Sequence, residues 1–168
     1  MFIDIKPILM GEKTNMDITL SIGRDEDERF SEIFPDITFD YPISVTGKVK
    51  NMSGYITLEV QSDVHFSSPC ARCAEPTSSS VGISTVKPIA TKDVSRESDE
   101  YVFPEDTIID ISAVLTEELL LWMPSKILCR EDCRGLCPRC GKNLNEGDCT
   151  CAQSQGDPRL AVLKTLLK

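Results

Sequence analysis

Histidine and tryptophan each occur once in this sequence, as His65 and Trp122. A single histidine offers little for general acid–base catalysis. The chain also lacks a G-x-G-x-x-G loop, a P-loop, a G-x-S-x-G elbow and an H-E-x-x-H helix. We therefore expect a protein that is not an enzyme and that has no small-molecule substrate.

An apolar run of the roughly 20 residues that a membrane helix needs is also missing. The longest apolar segment, AVLTEELLLWM at 113–123, is interrupted by Thr116, Glu117 and Glu118. The N-terminus MFIDIKPILMGEK lacks the basic start, apolar centre and small-residue cleavage site of a secretory signal. We therefore predict a cytoplasmic protein without a membrane partner. In that compartment disulfides are uncommon, and closely spaced cysteines indicate metal binding or redox chemistry.

Positive charge is scarce over most of the chain. The net charge is −9, and residues 1–123 hold 10 Lys and Arg against 22 Asp and Glu, whereas residues 124–168 hold 8 against 5. An acidic body repels phosphate, so the composition argues against nucleic-acid binding by the chain as a whole. The acidic run RDEDERFSE at 24–32 is expected to be a solvated loop or the start of a helix.

Three segments between residues 37 and 90 have the composition of β-strands. ITFDYPISVTGKV, GYITLEVQSDVHF and SSVGISTVKPIA are rich in β-branched and aromatic residues that alternate roughly with polar ones. NMSG at 51–54 predicts a hairpin turn in which Gly54 can adopt a positive φ, and SSPCARCAEPTS at 67–78 predicts a loop. The sequence therefore predicts an α+β fold with a mostly antiparallel β meander or a small barrel.

One helix is expected to pack on this sheet. IIDI at 108–111 is a short strand candidate, Asp110 or Ser112 can cap a helix at about 112–123, and Pro124 ends it. Apolar residues recur at three and four positions in this helix, so one face is expected to lie in the core. The residues of that face are Val114, Leu115, Leu119, Trp122 and Met123.

Cysteine is abundant, and its eight residues fall into four close pairs: Cys70 and Cys73, Cys129 and Cys133, Cys137 and Cys140, and Cys149 and Cys151. Zn²⁺ prefers four soft ligands in a tetrahedron, and structural sites commonly combine two short Cys pairs. We therefore expect one or two zinc ions. The preferred pairing joins the third and fourth pairs in one site and the first and second pairs in another. The one-residue spacing of the fourth pair leaves an alternative open, a single ion held by Cys133, Cys137, Cys140 and Cys149.

Other thiol chemistry fits these motifs less well. Thioredoxin-like redox sites place a C-x-x-C at a helix start in a βαβ unit, whereas both C-x-x-C motifs here lie in turn-like sequence. PCARC at 69–73 matches half of a zinc deaminase signature, but the H-x-E half is missing. A catalytic zinc also needs an open position, which four thiolates would close. His65 is expected to be a solvated strand residue.

Three parts of the chain are therefore expected. Residues 1–124 form a β-rich domain, residues 125–155 form a Cys-rich zinc-binding segment, and residues 156–168 form a C-terminal amphipathic helix that begins near Pro158. The stretch at 91–106 is expected to be a mobile acidic connection.

Several motifs follow one another in an order typical of one known family. They are PCARC at 69–73, DIS..LTEELLLWMP at 110–124, CRGLCPRCGKNLN at 133–145, a C-x-C at 149–151 and DPRLAVLKTLL at 157–167. Together they resemble the YceD-like family, which is described as large ribosomal RNA subunit accumulation proteins. The resemblance extends from about residue 37 to residue 168.

This resemblance implies a bacterial or organellar protein linked to accumulation of 23S ribosomal RNA. It carries over Cys70 and Cys73 as the C-x-R-C of the family. It carries over the six remaining cysteines as the family's C-terminal cluster. Some family members keep the C-x-R-C and lack most of that cluster, which implies that the β region and the final helix hold the shared role.

Three functional hypotheses follow. The first is a non-enzymatic ribosome-biogenesis factor that supports large-subunit assembly, with ribosomal RNA, a large-subunit ribosomal protein or an assembly particle as its partner. The second is a thiol-based redox or metal-handling protein, and the third is a generic zinc-stabilised protein-interaction module. In the first, the expected contacts with RNA or the partner are Arg130, Arg134, Arg139, Lys142, Arg159, Lys164 and Lys168.

Overall fold

The computed structural model of the protein describes residues 1–24, 27–90 and 100–151. The predicted C-terminal helix, with Arg159, Lys164 and Lys168, lies outside the described residues, as does most of the predicted connection at 91–106. In chain order the elements are β1 (Phe2–Asp4), α1 (Lys6–Leu9), β2 (Asn15–Ile22), α2 (Asp27–Ile33), β3 (Thr38–Phe39), β4 (Ile43–Met52), β5 (Tyr55–Pro69), β6 (Pro76–Pro88), β7 (Ile108–Asp110) and α3 (Ile111–Trp122).

The larger of the two sheets formed by the described residues is an antiparallel meander. β2 pairs with β4, β4 with β5, and β5 with β6, while β3 pairs with the end of β5. β5 has 15 residues, so one of its edges accommodates both β4 and β3. Within the described part of the chain β2 and β6 remain unpaired with each other, so this sheet is open. The predicted antiparallel meander is confirmed, and the sheet does not close into the small barrel considered as its alternative.

A two-residue turn joins β4 to β5 where NMSG predicts one. Ser53 and Gly54 have φ values of 55° and 96°, and positive φ at both central positions matches the twist of antiparallel strands. The side chain of Asn51 accepts a hydrogen bond from the Gly54 amide at 2.8 Å. The turn sets the register of β4 against β5 and so decides which side chains face the core.

The core lies between one face of this sheet, the helices and the small sheet that β1 forms with β7. Along β5, Val64 and Phe66 are fully buried, whereas His65 between them is exposed. His65 is therefore the solvated strand residue that the sequence predicts. β5 places the loop that follows Pro69 at one end of the sheet.

Helix α3 begins at a capped position and ends before Pro124. The Asp110 carboxylate accepts a hydrogen bond from the Ser112 amide at 3.1 Å and pairs with Arg29 at 2.8 Å. Burial raises the pKa of Asp110, but hydrogen bonds from Arg29, the N-terminal amine and Ser112 outweigh it and hold the pKa at about 2. With 12 residues, α3 is the longest helix described, and none of the described helices has the length and apolar character to span a membrane.

One expectation for α3 is wrong. Leu115 and Leu119 are fully buried as expected, but Trp122 is 54% exposed, although the sequence places it in the core. It is the last helical residue, and its indole N–H donates to the Glu118 carboxylate at 3.3 Å. Leu115 and Leu119 supply the buried face of the helix, and the indole of Trp122 lies outside it.

Candidate metal centre

The loop between β5 and β6 holds the first cysteine pair. Pro69 pairs with Pro76, so residues 70–75 form a short loop at the end of the sheet. The amide of Cys70 donates to the Glu75 carbonyl at 2.8 Å, and the amide of Ala74 donates to the Cys70 carbonyl at 2.9 Å. This turn leaves Cys70 and Cys73 buried at its inner side.

The chain after α3 returns to this loop along backbone hydrogen bonds. The Ala71 amide donates to the Ile127 carbonyl at 2.9 Å, and the Leu136 amide donates to the Arg72 carbonyl at 3.1 Å. The Arg72 guanidinium donates to the carbonyls of Cys133 at 2.8 Å and Glu131 at 3.2 Å. Arg72 therefore helps to hold the second cysteine pair against the first, a role that sequence reasoning did not assign to it.

These contacts create a group of four thiols, which we call the hairpin site: Cys70, Cys73, Cys129 and Cys133. Its sulfur atoms lie within 4.8 Å of one another, and the distances Cys70 Sγ–Cys133 Sγ and Cys73 Sγ–Cys129 Sγ are 3.8 and 3.6 Å. Zn–S bonds of about 2.3 Å in a tetrahedron place sulfurs about 3.8 Å apart. The spacing therefore suits one tetrahedral metal ion.

A second group of four thiols, the terminal site, forms within the Cys-rich segment: Cys137, Cys140, Cys149 and Cys151. Its sulfurs also lie within 4.8 Å of one another. The Gly141 amide donates to the Cys137 carbonyl at 2.9 Å, and the Cys137 amide donates to the Lys142 carbonyl at 2.8 Å, which closes a turn like that of residues 70–75. One of its four thiols is buried, against three of the four in the hairpin site, so this site is more open than the hairpin site.

Thiol pKa values are driven apart inside each group. Backbone N–H groups of Arg72 and Cys129 lower the pKa of Cys70 to about 6, while burial and the neighbouring thiols raise the pKa of Cys129 to about 12. In the terminal site the N–H groups of Arg139 and Cys140 lower the pKa of Cys137 to about 6. Without a cation, four adjacent thiols cannot all be ionised, because each thiolate charge repels the others. A divalent cation would remove this conflict, so both donor sets can hold a metal ion.

The two groups are those that the preferred pairing joins. The four residues of the single-ion alternative are divided between them, because Cys133 lies in the hairpin site and its three proposed partners lie in the terminal site. His65 belongs to neither group.

The basic residues of the Cys-rich segment are largely engaged with their neighbours. Arg134 pairs with Asp148 at 2.5 Å, and the Lys142 ammonium donates to the Asp148 carbonyl at 2.9 Å. Arg130 lies 3.4 Å from Asp132. The exposed side chain of Arg139 has no ion-pair partner among the residues that the structure describes. Of the predicted contact residues within the described ranges, Arg139 is therefore the most available to a partner.

Gly135 fits closely against the hairpin loop. Its φ is +74°, and a Cβ atom there would lie 2.9 Å from the Arg72 carbonyl oxygen, whereas Gly141 has φ +72° and open space around it. Both alanine variants incur the left-handed penalty of about 1 kcal/mol. Gly135→Ala additionally forces the segment away from Arg72, so we expect it to lose at least about 1 kcal/mol more than Gly141→Ala.

Urea unfolding of the metal-loaded variants, followed by circular dichroism, measures this difference. Gly141→Ala serves as the matched control for backbone strain. Equal losses in the two variants would contradict the close contact with Arg72.

Comparison with known proteins connects these sites to a family. The YceD family model, described as large ribosomal RNA subunit accumulation protein YceD, matches residues 58–167. The protein YlbN of Bacillus subtilis is 32% identical over 140 residues, which are 79% of this chain and 78% of YlbN. Rv2926c of Mycobacterium tuberculosis is 33% identical over 102 residues, 58% of this chain and 49% of that protein, so the match spans about half of the mycobacterial relative.

No solved structure matches the chain. The residues matched by the family model include the hairpin loop, helix α3 and both groups of four thiols. With this match over most of its length, the chain belongs to the YceD family of large ribosomal RNA subunit accumulation proteins.

Proposed function

We propose that the protein is a non-enzymatic, cytoplasmic factor in assembly of the large ribosomal subunit that supports accumulation of 23S ribosomal RNA. The family description supports the ribosomal role. In this proposal two zinc ions, one at each site, hold the Cys-rich segment against the sheet. The observation that carries it is the grouping of thiols from the β5–β6 loop with thiols that follow α3, three of which, Cys70, Cys73 and Cys133, are buried.

The donor sets favour structural zinc over catalytic zinc. Four thiolates complete a tetrahedron and leave no position for water or substrate, which a catalytic ion requires. The hairpin site draws its ligands from segments 56 and 63 residues apart in sequence. Metal bound there would join two parts of the chain that are distant in sequence, so its binding energy is folding energy.

Charge supports a protein of the assembly particle as the direct partner more than the phosphate backbone of RNA. The body of the chain is strongly acidic, and Arg130 and Arg134 already face Asp132 and Asp148. Ion pairs of this kind lower the positive charge that phosphate would meet. An acidic body attracts basic partners, and complementary charge speeds their association.

Metal handling is a second candidate, favoured by the terminal site, in which only Cys137 of the four thiols is buried. In that role the terminal site would exchange its ion readily. Native mass spectrometry after mild oxidation separates the two candidates, because stoichiometric zinc that resists oxidation supports the structural role. Reversible loss of one ion supports metal handling.

Association with assembling large subunits tests the proposed function directly. We expect the tagged protein to crosslink to large-subunit precursor particles in cells and to co-sediment with them. Arg139 carries the exposed positive charge beside the terminal site, which would meet RNA or an acidic surface of the particle while the acidic body meets a basic protein. Arg139→Glu is therefore expected to reduce co-sedimentation several-fold. Lys13→Glu, which reverses an exposed charge on the acidic body, serves as its matched control.

Failure of the wild-type protein to associate with either the particles or their RNA would overturn the ribosomal role. If Arg139→Glu and Lys13→Glu changed co-sedimentation equally, the ribosomal role would be retained, but Arg139 would not belong to the contact surface.

A further inference from the structure

Asn145 lies in the loop of the terminal site and contacts a sulfur of the hairpin site. Its side-chain N–H donates to Cys133 Sγ at 3.3 Å. Its side-chain oxygen accepts a hydrogen bond from the Arg134 amide at 2.7 Å, so the carboxamide is held at both ends. The loop that carries Asn145 is bounded by Cys140 and Cys149, which are both members of the terminal site.

The same loop makes two further contacts with the surroundings of the hairpin site. The side-chain amide of Asn143 donates to the Glu75 carboxylate at 2.7 Å, and the Leu144 amide donates to the Gly135 carbonyl at 2.9 Å. Glu75 in turn accepts the Cys70 amide through its carbonyl. Residues 143–145 therefore contact Cys133 directly and reach the loop of the first cysteine pair through Glu75.

We propose that Asn145 couples the two sites, so that metal bound at the terminal site raises the metal affinity of the hairpin site. This proposal rests on the metal binding given under the proposed function. Ligands on both sides of the loop close it when the terminal site is filled, which fixes Asn145 beside Cys133. When that site is empty the loop gains conformational freedom, and ordering Asn145 again costs free energy.

An N–H donor to a ligating sulfur stabilises the thiolate and orients it toward the ion. Loss of an outer hydrogen bond of this kind typically costs about 10- to 100-fold in metal affinity. Coupling between two binding sites is reciprocal, so metal at the hairpin site also favours metal at the terminal site. The chain is therefore expected to take up its two ions cooperatively.

Metal titration with native mass spectrometry tests the coupling, with Zn²⁺ added alone to the reduced, metal-free full chain. Independent, equal sites would leave about half of the molecules singly loaded at half saturation. For the wild type we expect a clearly smaller singly loaded fraction. Asn145→Ala is expected to raise that fraction and to lower the affinity of the hairpin site about 10-fold, as measured by competition with a chromophoric chelator.

Asn145→Asp provides a sharper variant, because it keeps the oxygen that accepts the Arg134 amide and replaces the N–H donor with a negative charge. We expect its loss of affinity to exceed that of Asn145→Ala. Asn15→Asp places the same change at the exposed start of β2 and is the matched control, for which we expect no change in affinity.

A variant without the terminal site separates coupling from a simple structural role. With Cys140→Ser and Cys151→Ser combined, the loop is open, so adding Asn145→Ala is expected to change hairpin-site affinity by less than about 2-fold. An undiminished effect of Asn145→Ala in that background would overturn the coupling. The coupling would also be overturned if the wild type bound two ions with about half of the molecules singly loaded at half saturation and if Asn145→Ala changed neither that fraction nor the affinity. The two zinc sites themselves would be unaffected by that result. A wild type that binds no metal would overturn both proposals.

Discussion

Cys133→Ser is expected to detach the Cys-rich segment from the sheet while the sheet remains folded. The segment buries little apolar surface of its own at this junction. Among the described residues, Leu128 is the hydrophobic residue that packs against the buried cysteines of the hairpin site. Structural zinc sites contribute roughly 10 kcal/mol or more of apparent binding energy. Removing one of four thiolates forfeits much of that energy, and the remaining backbone hydrogen bonds are too few to replace it.

Two amides report on the junction. The Ala71 amide donates to Ile127 and the Leu136 amide donates to Arg72, so both bonds cross from the β5–β6 loop to the segment. In the zinc-loaded Cys133→Ser variant we expect their hydrogen exchange to accelerate at least about 100-fold. Amides at the centre of β5, such as that of Val64, are expected to keep their protection because Val64 is buried in the main core.

Cys140→Ser is the matched variant in the terminal site. At saturating zinc we expect it to expose the Gly141 amide, which donates to the Cys137 carbonyl, and to leave the Ala71 amide protected. Wild-type protection at Ala71 and Leu136 in Cys133→Ser would contradict a metal-held junction. Simultaneous loss of protection in β5 would show instead that the sheet depends on the segment.

Much of the larger sheet is predictable because its signals are local. Alternating side chains mark β4 and β5, and NMSG marks the turn between them, so strand type and neighbour both follow from adjacent residues. The same holds for α3, where Asp110 supplies the cap and Pro124 the end. β1 carries no comparable signal: it has three residues and pairs with β7 more than 100 residues later, so only tertiary contact defines it. In β2, polar and apolar residues do alternate. Its pairing with β4 is nevertheless not a local feature, because α2 and β3 lie between the two strands in sequence.

The two groups of four thiols also differ in how far the sequence predicts them. The terminal site is predictable from spacing, since its ligands lie within 15 residues and the turn at Gly141 brings them together. Assigning Cys129 and Cys133 to the distant Cys70 pair follows only from counting eight thiols into two groups of four. No feature of the sequence predicts a role for Asn145, because an asparagine in GKNLNEGD is typical of an ordinary loop. Its contact with Cys133 depends on how the two sites are placed against each other.

Helix α3 is held to β6 by a buried ion pair that the sequence does not reveal. The Lys87 ammonium lies 2.9 Å from the Glu118 carboxylate, and the two side chains are 12% and 4% exposed. Glu118 also accepts the indole N–H of Trp122 at 3.3 Å. Burial lowers the pKa of Lys87, but the hydrogen bond and charge of Glu118, with those of Glu117, outweigh it and leave the pKa raised. The ammonium is therefore stable in this position only because carboxylates face it.

Glu118→Ala is expected to reduce the free energy of unfolding by about 3–5 kcal/mol, because it leaves a largely buried ammonium without its main partner. Glu117→Ala is the matched control. Its carboxylate lies 3.3 Å from Lys87 but is 64% exposed, and exposed pairs contribute up to about 1 kcal/mol. Urea unfolding followed by circular dichroism at pH 7 measures both losses.

The double variant Lys87→Met with Glu118→Leu separates the cost of a lone buried charge from loss of packing. Apolar replacement of both partners is expected to restore most of the stability lost in Glu118→Ala, since replacing a buried ion pair by hydrophobic residues of similar volume is often neutral for stability.

The stability that this ion pair contributes also depends on pH, and the sign of that dependence is defined. Because the folded pKa of Lys87 lies above its ordinary value of 10.5, the stabilisation is complete below that pH and is lost as the pH rises through the folded value. The stability difference between the wild type and Glu118→Ala should therefore be largest at neutral pH and narrow in alkali, because the unpaired ammonium of the variant loses its proton at a lower pH than the paired one. A Glu118→Ala loss no larger than that of Glu117→Ala, or a difference that does not narrow in alkali, would mean that the pair does not hold α3 against β6.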